Sequence, residues 1–254
     1  MNPRPRLLFL SRRLPYPPDG ASMPSYLLLR LFGGAFDVTA LCFERPGAAP
    51  AASHDARELA GLATIEVFAV PQRHSSLRYL WDHLRSAALR RVYKTYLYQS
   101  RAFERRLADV LSSTPIDIVS VDGLDLVRYL PACGDIPIVC VHHDIQSAAL
   151  ARRACSEKNE WRSAYLRHQA GLMEDAEREW CGRVALNIVQ SEADRRLVER
   201  IAPCSRVIVM TSGDSGTDWQ VRTNELLATF LTVANVDPSD SLSEIETVRT
   251  AHAS

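Results

Sequence analysis

Two histidines and an aspartate stand together directly after an apolar run. Residues 136–141 read Ile-Pro-Ile-Val-Cys-Val, and His142, His143 and Asp144 follow them. Ligands of open α/β sheets bind in the crevice beyond the carboxyl ends of the strands. If this run is a strand, both histidines are candidate catalytic residues, while Asp144 can serve either in the chemistry or as a cap of the loop.

A metal site is an alternative interpretation of this region, because Cys140, His142 and Asp144 are spaced two residues apart. Structural zinc sites take four protein ligands, and the sequence offers no fourth ligand nearby. Side chains at a strand end also change direction around the turn. We therefore expect no metal here.

A second candidate site lies in the turn after the first apolar run, where Asp19 and Gly20 lead into Ala21 and Ser22. A tight turn into a helix capped by Ser22 directs backbone N–H groups and a helix N-terminus at the space above the strand ends, where an anion is stabilised. The plainer interpretation is an ordinary strand-to-helix turn with a serine cap.

Seven short apolar runs alternate along the chain with longer helical patterns. The runs are residues 7–10, 38–43, 65–70, 116–120, 136–141, 186–189 and 206–210. Most are continuous rather than alternating, which is typical of parallel strands buried on both faces. Strands separated by helices indicate βαβ units. The expected fold class is α/β, with a doubly wound, mostly parallel Rossmann-like sheet.

Helices are predicted at residues 22–32, 77–111, 125–130, 160–181 and 191–201. Ser191 opens the last of these in a capping-box-like start, and capping alone explains it. After Met210 the alternation stops, and residues 224–235 suit one short helix. We expect a domain at 1–210 and a divergent C-terminal tail at 211–254, because so short a piece cannot bury the core of a second domain.

Composition indicates an ordinary globular protein, with 46% hydrophobic and 24% charged residues among 254. The sequence contains no apolar run long enough for a transmembrane helix. Its six cysteines are scattered singly, so neither a disulfide framework nor a zinc ribbon is predicted. Reduced thiols favour a cytoplasmic location.

The segment from Arg73 to Arg106 is strongly basic, with nine Arg or Lys residues against Asp82 and Glu104, and it contains six aromatic residues. Apolar residues recur within it at helical spacing, so an apolar stripe must face something. The plain interpretation is a helix packed on the core with a solvated basic face. The alternative is attachment to an anionic membrane surface. Nucleic-acid binding is not expected, because no nucleic-acid module accompanies these residues.

Four segments, taken in order, resemble the N-terminal domain of family 4 glycosyltransferases of the GT-B fold, in particular bacterial sugar transferases of exopolysaccharide clusters. They are residues 14–20 (Leu-Pro-Tyr-Pro-Pro-Asp-Gly) with the following helix, 37–43 (Asp-Val-Thr-Ala-Leu-Cys-Phe), 141–147 (Val-His-His-Asp-Ile-Gln-Ser) and 187–195 (Asn-Ile-Val-Gln-Ser-Glu-Ala-Asp-Arg). The resemblance implies a single GT-B half, on the acceptor side of an enzyme that transfers sugar from a nucleotide-sugar to a glycan or lipid-linked acceptor.

The resemblance also implies roles for the candidate residues. In relatives a histidine of the 141–147 turn points toward the transferred sugar, which selects His143 first and His142 second. Gly20 and the backbone of Ala21 and Ser22 would face the diphosphate of the nucleotide-sugar, a co-substrate, and no further cofactor is implied.

Two departures from the family pattern weaken the expected donor contacts. Gly20 is followed by Ala21 where relatives typically have a second glycine, and Pro24 stands where an arginine is often found. The donor-binding half expected after Met210 is also missing. We therefore expect a chain that is inactive alone and is completed by a separately encoded C-terminal GT-B domain. The alternatives are a non-catalytic binding or regulatory module, or a truncated, degenerate gene product.

Overall fold

The structure, a computed structural model, describes residues 4–15, 23–44, 61–70, 76–210 and 216–235. Seven strands lie within these residues: β1 (Arg6–Ser11), β2 (Asp37–Phe43), β3 (Thr64–Phe68), β4 (Ile118–Asp122), β5 (Ile138–Val141), β6 (Leu186–Val189) and β7 (Val207–Val209). They form one parallel sheet in the order β3-β2-β1-β4-β5-β6-β7. This is the doubly wound Rossmann order with β7 added at one edge. It confirms the fold class expected from the sequence.

Helices connect the strands and cover the sheet. They are α1 (Met23–Ala35), α2 (Ser76–Leu89), α3 (Tyr93–Leu97), α4 (Arg101–Ser113), the 3-10 helix η1 (Leu124–Cys133), α5 (Gln146–Ser156), α6 (Glu160–Cys181), α7 (Glu192–Ile201) and α8 (Gly216–Val233). Within the described residues, none of these helices is both long and apolar enough to span a lipid bilayer.

Successive side chains of β1 show that both faces of the sheet are covered. Leu8 lies in a core with Phe103 of α4, whereas Leu7 lies in the core of the other face with Phe32 of α1. All four of these side chains are fully buried. A strand buried on both faces needs apolar residues at every position, which explains why the central strands are continuous apolar runs in the sequence.

The helices agree with the sequence less well than the strands do. The single helix predicted at residues 77–111 is three helices, because Arg90 adopts a left-handed conformation (φ 49°) after α2 and Ser100 caps a new helix, α4. Helix α5 was not predicted. Its first turn is capped from a distant element, since the Glu177 carboxylate of α6 accepts from the backbone N–H of Ser147 at 3.1 Å.

Helix α8 lies within the segment that was expected to be a tail, and it is longer than the short helix predicted at residues 224–235. The rings of Phe230 in α8 and Phe32 in α1 are 4.6 Å apart between centroids, and both are fully buried. Helix α8 therefore extends the core on the α1 side of the sheet. The division of the chain at Met210 stays a prediction.

Candidate functional site

The candidate site lies at the carboxyl ends of β1, β4 and β5, where the strand order changes direction. The chain builds one half of the sheet outward from β1 and the other half outward from β4. Ser11, the last residue of β1, is in register with Asp122, the last residue of β4. Asp122 is also in register with Val141 of β5, two residues before His143. Doubly wound sheets bind ligands at this switch point.

Asp122 is the centre of the site and is only 1% exposed. Its Oδ2 accepts hydrogen bonds from Ser11 Oγ at 2.7 Å and Ser25 Oγ at 2.8 Å, while its Oδ1 accepts one from His143 Nε2. Burial by itself raises the pKa of Asp122, but the hydrogen bonds from His143 and from the two serine hydroxyls outweigh burial and lower the pKa. Asp122 is therefore a buried carboxylate that stays ionised.

The contact with Asp122 determines the tautomer of His143. An ionised carboxylate only accepts hydrogen bonds, so His143 Nε2 carries a proton and, in the neutral ring, Nδ1 is an acceptor. The Gln190 side-chain nitrogen, just after β6, lies 3.1 Å from Nδ1 and donates to it. The His143 side chain is 19% exposed and borders a cavity. A substrate hydroxyl that displaces the Gln190 amide would meet a fixed lone pair at Nδ1.

His142 is placed differently, although it also borders the cavity. It is buried, its Nε2 lies 2.9 Å from Asn187 Oδ1 of β6, and Cys181 Sγ lies 3.9 Å from the same nitrogen. Burial is the largest influence and lowers the pKa of His142, which favours the neutral ring. His142 thus links β5 to β6, and of the two histidines His143 is the more accessible.

The cavity beside His143 has a volume of about 140 Å³. Its lining residues are Arg12, Lys94, Gly123, Leu124, His142, His143, Asp144, Gln146, Ala149, Leu150, Arg153 and Glu177. Gly123 follows Asp122 with φ +86°, a conformation that strains any residue with a Cβ. The glycine allows the chain to turn from β4 into η1 directly beside the cavity.

Two cations of the cavity wall meet on a second buried carboxylate. Arg12 Nη1 lies 2.6 Å from Asp125 Oδ2, and Lys94 Nζ lies 3.1 Å from Asp125 Oδ1. Burial by itself raises the pKa of Asp125, but Lys94 and Arg12 outweigh it and lower the pKa. Lys94 also donates to Gln146 Oε1 at 2.8 Å. Two cations on one carboxylate leave this part of the wall locally positive, which suits an anionic or hydroxyl-rich ligand, while Asp144 and Glu177 line the cavity elsewhere.

The structure also locates the other candidate residues from the sequence. Those of the turn before α1 lie outside the described part of the chain: Gly20, Ala21 and Ser22. Ser191 caps α7 as predicted and accepts from the backbone N–H of Asp194 at 3.1 Å. Asp144 is exposed and pairs with Arg152 at 3.3 Å. Across the described ranges, no group of three or more His, Cys, Asp or Glu side chains is placed to hold a metal ion.

The residues that surround His143 were not predicted from the sequence. Ser11 and Ser25 are separated from Asp122 by 111 and 97 residues, so no local pattern links them. One local signal was available, because Asp122 and Gly123 end an apolar run. The strand was predicted to stop at residue 120, which left Asp122 outside the strand end where ligands bind.

Comparisons with known proteins identify fold neighbours but no relatives. No family model matches the chain, and no curated protein matches it. A sucrose-phosphate synthase structure from Thermosynechococcus elongatus is 7% identical, with 90% of this chain and 98% of that one covered and a TM-score of 0.47. TcCGT1 in complex with UDP is 12% identical, with 86% and 55% covered and a TM-score of 0.46.

A third solved structure, Arabidopsis thaliana UGT89C1 complexed with UDP-L-rhamnose, is 14% identical, with 82% and 49% covered and a TM-score of 0.47. The chain thus spans about half the length of TcCGT1 and of UGT89C1. At such low identities and TM-scores, these likenesses assign the chain neither a family nor an activity.

Proposed function

We propose that this chain is the acceptor-side half of a GT-B glycosyltransferase and that His143 receives the reacting hydroxyl group. One observation carries the proposal: a buried carboxylate, Asp122, fixes the ring of His143 beside a cavity at the switch point of a doubly wound sheet. The four sequence segments that resemble family 4 transferases, of the bacterial exopolysaccharide type, support the same lineage independently.

In the proposed reaction, the oxygen of an acceptor hydroxyl forms a bond to the anomeric carbon of the donor sugar. The bond from that carbon to the nucleoside diphosphate breaks, and the diphosphate leaves with the electron pair. His143 Nδ1 accepts the hydrogen bond of the attacking hydroxyl and is placed to take its proton. Asp122 stabilises the resulting imidazolium because it already contacts Nε2. Gln190 must move from Nδ1 for the hydroxyl to enter.

The wall of the cavity suits the acceptor that the proposal requires. Arg12 and Lys94 share the charge of Asp125, and Arg153 lines the cavity without an ion pair to any described residue. Guanidinium and ammonium groups bind phosphate and sugar hydroxyls through charge-assisted or ordinary hydrogen bonds. A glycan, or the phosphate of a lipid-linked acceptor, would therefore bind with its reacting hydroxyl toward His143.

The donor is proposed to bind a second GT-B domain, encoded separately or within a longer chain. On this side of the cleft, the backbone of Gly20, Ala21 and Ser22 would contact the diphosphate. In this arrangement the chain alone positions an acceptor but lacks most contacts to the nucleotide-sugar. We therefore expect the purified chain to show no sugar transfer.

Reconstitution tests this function. The chain is mixed with a lone C-terminal GT-B domain encoded beside it, and release of UDP or GDP from UDP-glucose or GDP-mannose is measured with glycan acceptors. We expect release only when both proteins are present. His143→Ala should lower the rate by roughly 100-fold, a far larger effect than its effect on folding stability. The matched control is His168→Ala, since His168 is an exposed histidine of α6.

Three outcomes contradict the proposal in different ways. Turnover by the isolated chain would show that it is not half of an enzyme. An unchanged rate for His143→Ala would remove His143 from the reaction. Binding of oligosaccharides by the chain without any transfer in the mixture would favour a non-catalytic binding module.

A further inference from the structure

One helix of this protein presents its apolar side to solvent. In α2, Leu77 is 83% exposed and Trp81 is 63% exposed, and Leu80 and Leu84 are also more than half exposed. Their spacing of three, four and seven residues places all four on one side of the helix. We call these four residues the apolar face of α2.

The opposite side of α2 is polar, and polar contacts fix it to the protein. Asp82 is 3% exposed and Ser86 is fully buried. Ser86 Oγ donates to the carbonyl oxygen of Arg91 at 2.7 Å and accepts from Gln169 Nε2 of α6 at 2.9 Å. Turning the apolar face inward would break these contacts and expose their partners. The polar contacts on the opposite side of α2 therefore keep the apolar face pointing outward.

His83 strengthens this attachment. Its ring stacks on Tyr93 of α3 with centroids 3.7 Å apart, and its Nδ1 lies 2.6 Å from the hydroxyl oxygen of Tyr165 in α6. Tyr165 contacts His83 and Gln169 contacts Ser86, so α6 and α2 run in the same direction where they meet. Trp161, one turn before Tyr165 in α6, is a further exposed apolar side chain, at 87%.

Within α2 and the two residues that follow it, the exposed charges have a single sign. Arg85, Arg90 and Arg91 are exposed. The only acid between residues 76 and 91 is Asp82, and it is buried. A helix with apolar and aromatic residues on one side and arginines at its flanks complements a surface that offers hydrocarbon beneath negative charge.

We propose that the apolar face of α2 docks this protein on an anionic membrane surface. With 14 residues, α2 is about 21 Å long, so it lies in the plane of the interface rather than crossing it. The leucines and Trp81 would enter the boundary between headgroups and acyl chains, and the arginines would meet the lipid phosphates. A second copy of this chain fits less well, because it would offer the same basic helix rather than a negatively charged surface.

The docked orientation would also bring the membrane close to the candidate site. Helix α3 follows α2 and stacks on it through Tyr93 and His83. Its Lys94 lines the cavity beside His143. An acceptor anchored in the membrane would therefore reach the cavity from the side on which α2 lies. This consequence rests on the proposed function, but membrane docking itself does not.

Co-sedimentation with vesicles tests the proposal. We expect the full chain to bind vesicles of phosphatidylcholine with phosphatidylglycerol and not vesicles of phosphatidylcholine alone. Exposed charges act over about 8–10 Å at physiological salt, so binding should weaken as salt rises. Salt-insensitive binding, equal binding to both vesicles, or no binding at low salt would each overturn the proposal.

Matched variants separate the apolar and the charged contributions. Leu77→Ser with Leu84→Ser should weaken partitioning by roughly tenfold or more, because two exposed leucines no longer enter the bilayer. Val67→Ser, which changes an exposed residue of strand β3, is its control. Arg90→Gln with Arg91→Gln should weaken binding by roughly tenfold. Arg183→Gln with Arg195→Gln changes the net charge equally, at side chains outside α2 that are 63% and 44% exposed.

Both control variants should bind as the unaltered chain does. If Arg183→Gln with Arg195→Gln weakens binding as much as the α2 variant, the attraction is non-specific and the proposed face is wrong. Light scattering adds a further readout. A dimer that dissociates in the Leu77→Ser, Leu84→Ser variant, together with no vesicle binding, would overturn membrane docking in favour of a second copy.

Discussion

Two buried carboxylates lie three residues apart, and the protein compensates their charges in different ways. Asp125, in the first turn of η1, contacts two cationic side chains, Arg12 at 2.6 Å and Lys94 at 3.1 Å. Asp122, at the end of β4, contacts hydroxyl groups and the imidazole of His143. Asp125 is thus compensated by two cationic side chains, whereas Asp122 is stabilised through hydrogen bonds from two hydroxyls and one imidazole.

This difference assigns the two carboxylates different tasks. The contacts of Asp125 hold Arg12 and Lys94 in the cavity wall. Asp122 instead orients the ring of His143, and under the proposed function it would stabilise that ring when it accepts the proton of the acceptor hydroxyl. Two comparably buried carboxylates therefore have different surroundings: cations at Asp125, and two hydroxyls with an imidazole at Asp122.

The largest effect is expected for Asp125→Asn. The amide cannot compensate two cations, so the free energy of unfolding should fall by roughly 3–5 kcal/mol, as for other broken buried ion pairs. Urea denaturation measures the change. Asp135→Asn is the control, because Asp135 is exposed and its variant should lie within about 0.5 kcal/mol of the unaltered chain. A loss below about 1 kcal/mol for Asp125→Asn would contradict the proposed difference between Asp125 and Asp122.

Low pH should remove much of the difference in stability between the unaltered chain and Asp125→Asn. The pKa of Asp125 is lowered in the folded protein. A carboxyl with a lowered folded pKa contributes stability that is complete above its unfolded pKa of about 3.9 and is lost as pH falls through the folded value. The unfolding free energies of the unaltered chain and Asp125→Asn should therefore differ fully at neutral pH and converge below about pH 4. A difference that stays constant down to pH 2 would contradict this assignment.

A smaller loss, roughly 2 kcal/mol, is expected for Asp122→Asn, because the hydroxyls of Ser11 and Ser25 still find an oxygen acceptor. The amide nitrogen would then donate to His143 Nε2, so the ring proton should move to Nδ1. Nitrogen-15 NMR of the imidazole distinguishes the two tautomers. We expect Nε2–H in the unaltered chain and Nδ1–H in the variant. The same tautomer in both proteins would show that Asp122 does not orient His143.

The smallest effect is expected for Ser25→Ala, which removes one of two hydroxyl donors to Asp122 Oδ2 and leaves Ser11 in place. The free energy of unfolding should fall by about 1 kcal/mol. Ser112→Ala is the matched control, since Ser112 is an exposed serine of α4. Thermal denaturation of the two variants side by side measures the difference. Equal melting temperatures would mean that Ser11 alone satisfies Oδ2.

Much of the sheet could be predicted from the sequence because burial on both faces leaves a local trace. All seven predicted apolar runs overlap strands, and the run before His142 ends at β5. Helices were predicted less well where distant contacts decide them. The first turn of α5 depends on Glu177 from α6, and the break after α2 depends on the backbone of Arg90. Neither feature can be predicted from the spacing of apolar residues in the local sequence.

The candidate site, like the fold, could be predicted only in part from the sequence. That His143 follows a buried strand is visible in the sequence, and the carboxyl end of such a strand is where ligands bind. Its partners are not visible, since Asp122, Ser25 and Gln190 come from β4, α1 and the end of β6. They meet because the parallel order places β1, β4, β5 and β6 side by side with their carboxyl ends together.

The sequence by itself determined the doubly wound sheet, the place of His143 and the existence of an apolar stripe in the basic segment, because periodicity and burial act between near neighbours. Only the tertiary structure decided that Asp122 fixes His143, and that the apolar face of α2 points outward while Asp82 and Ser86 are buried. Helical spacing shows that a stripe exists but not which side of the helix meets the protein. Contacts between residues far apart in the chain determine which side of the helix packs on the protein.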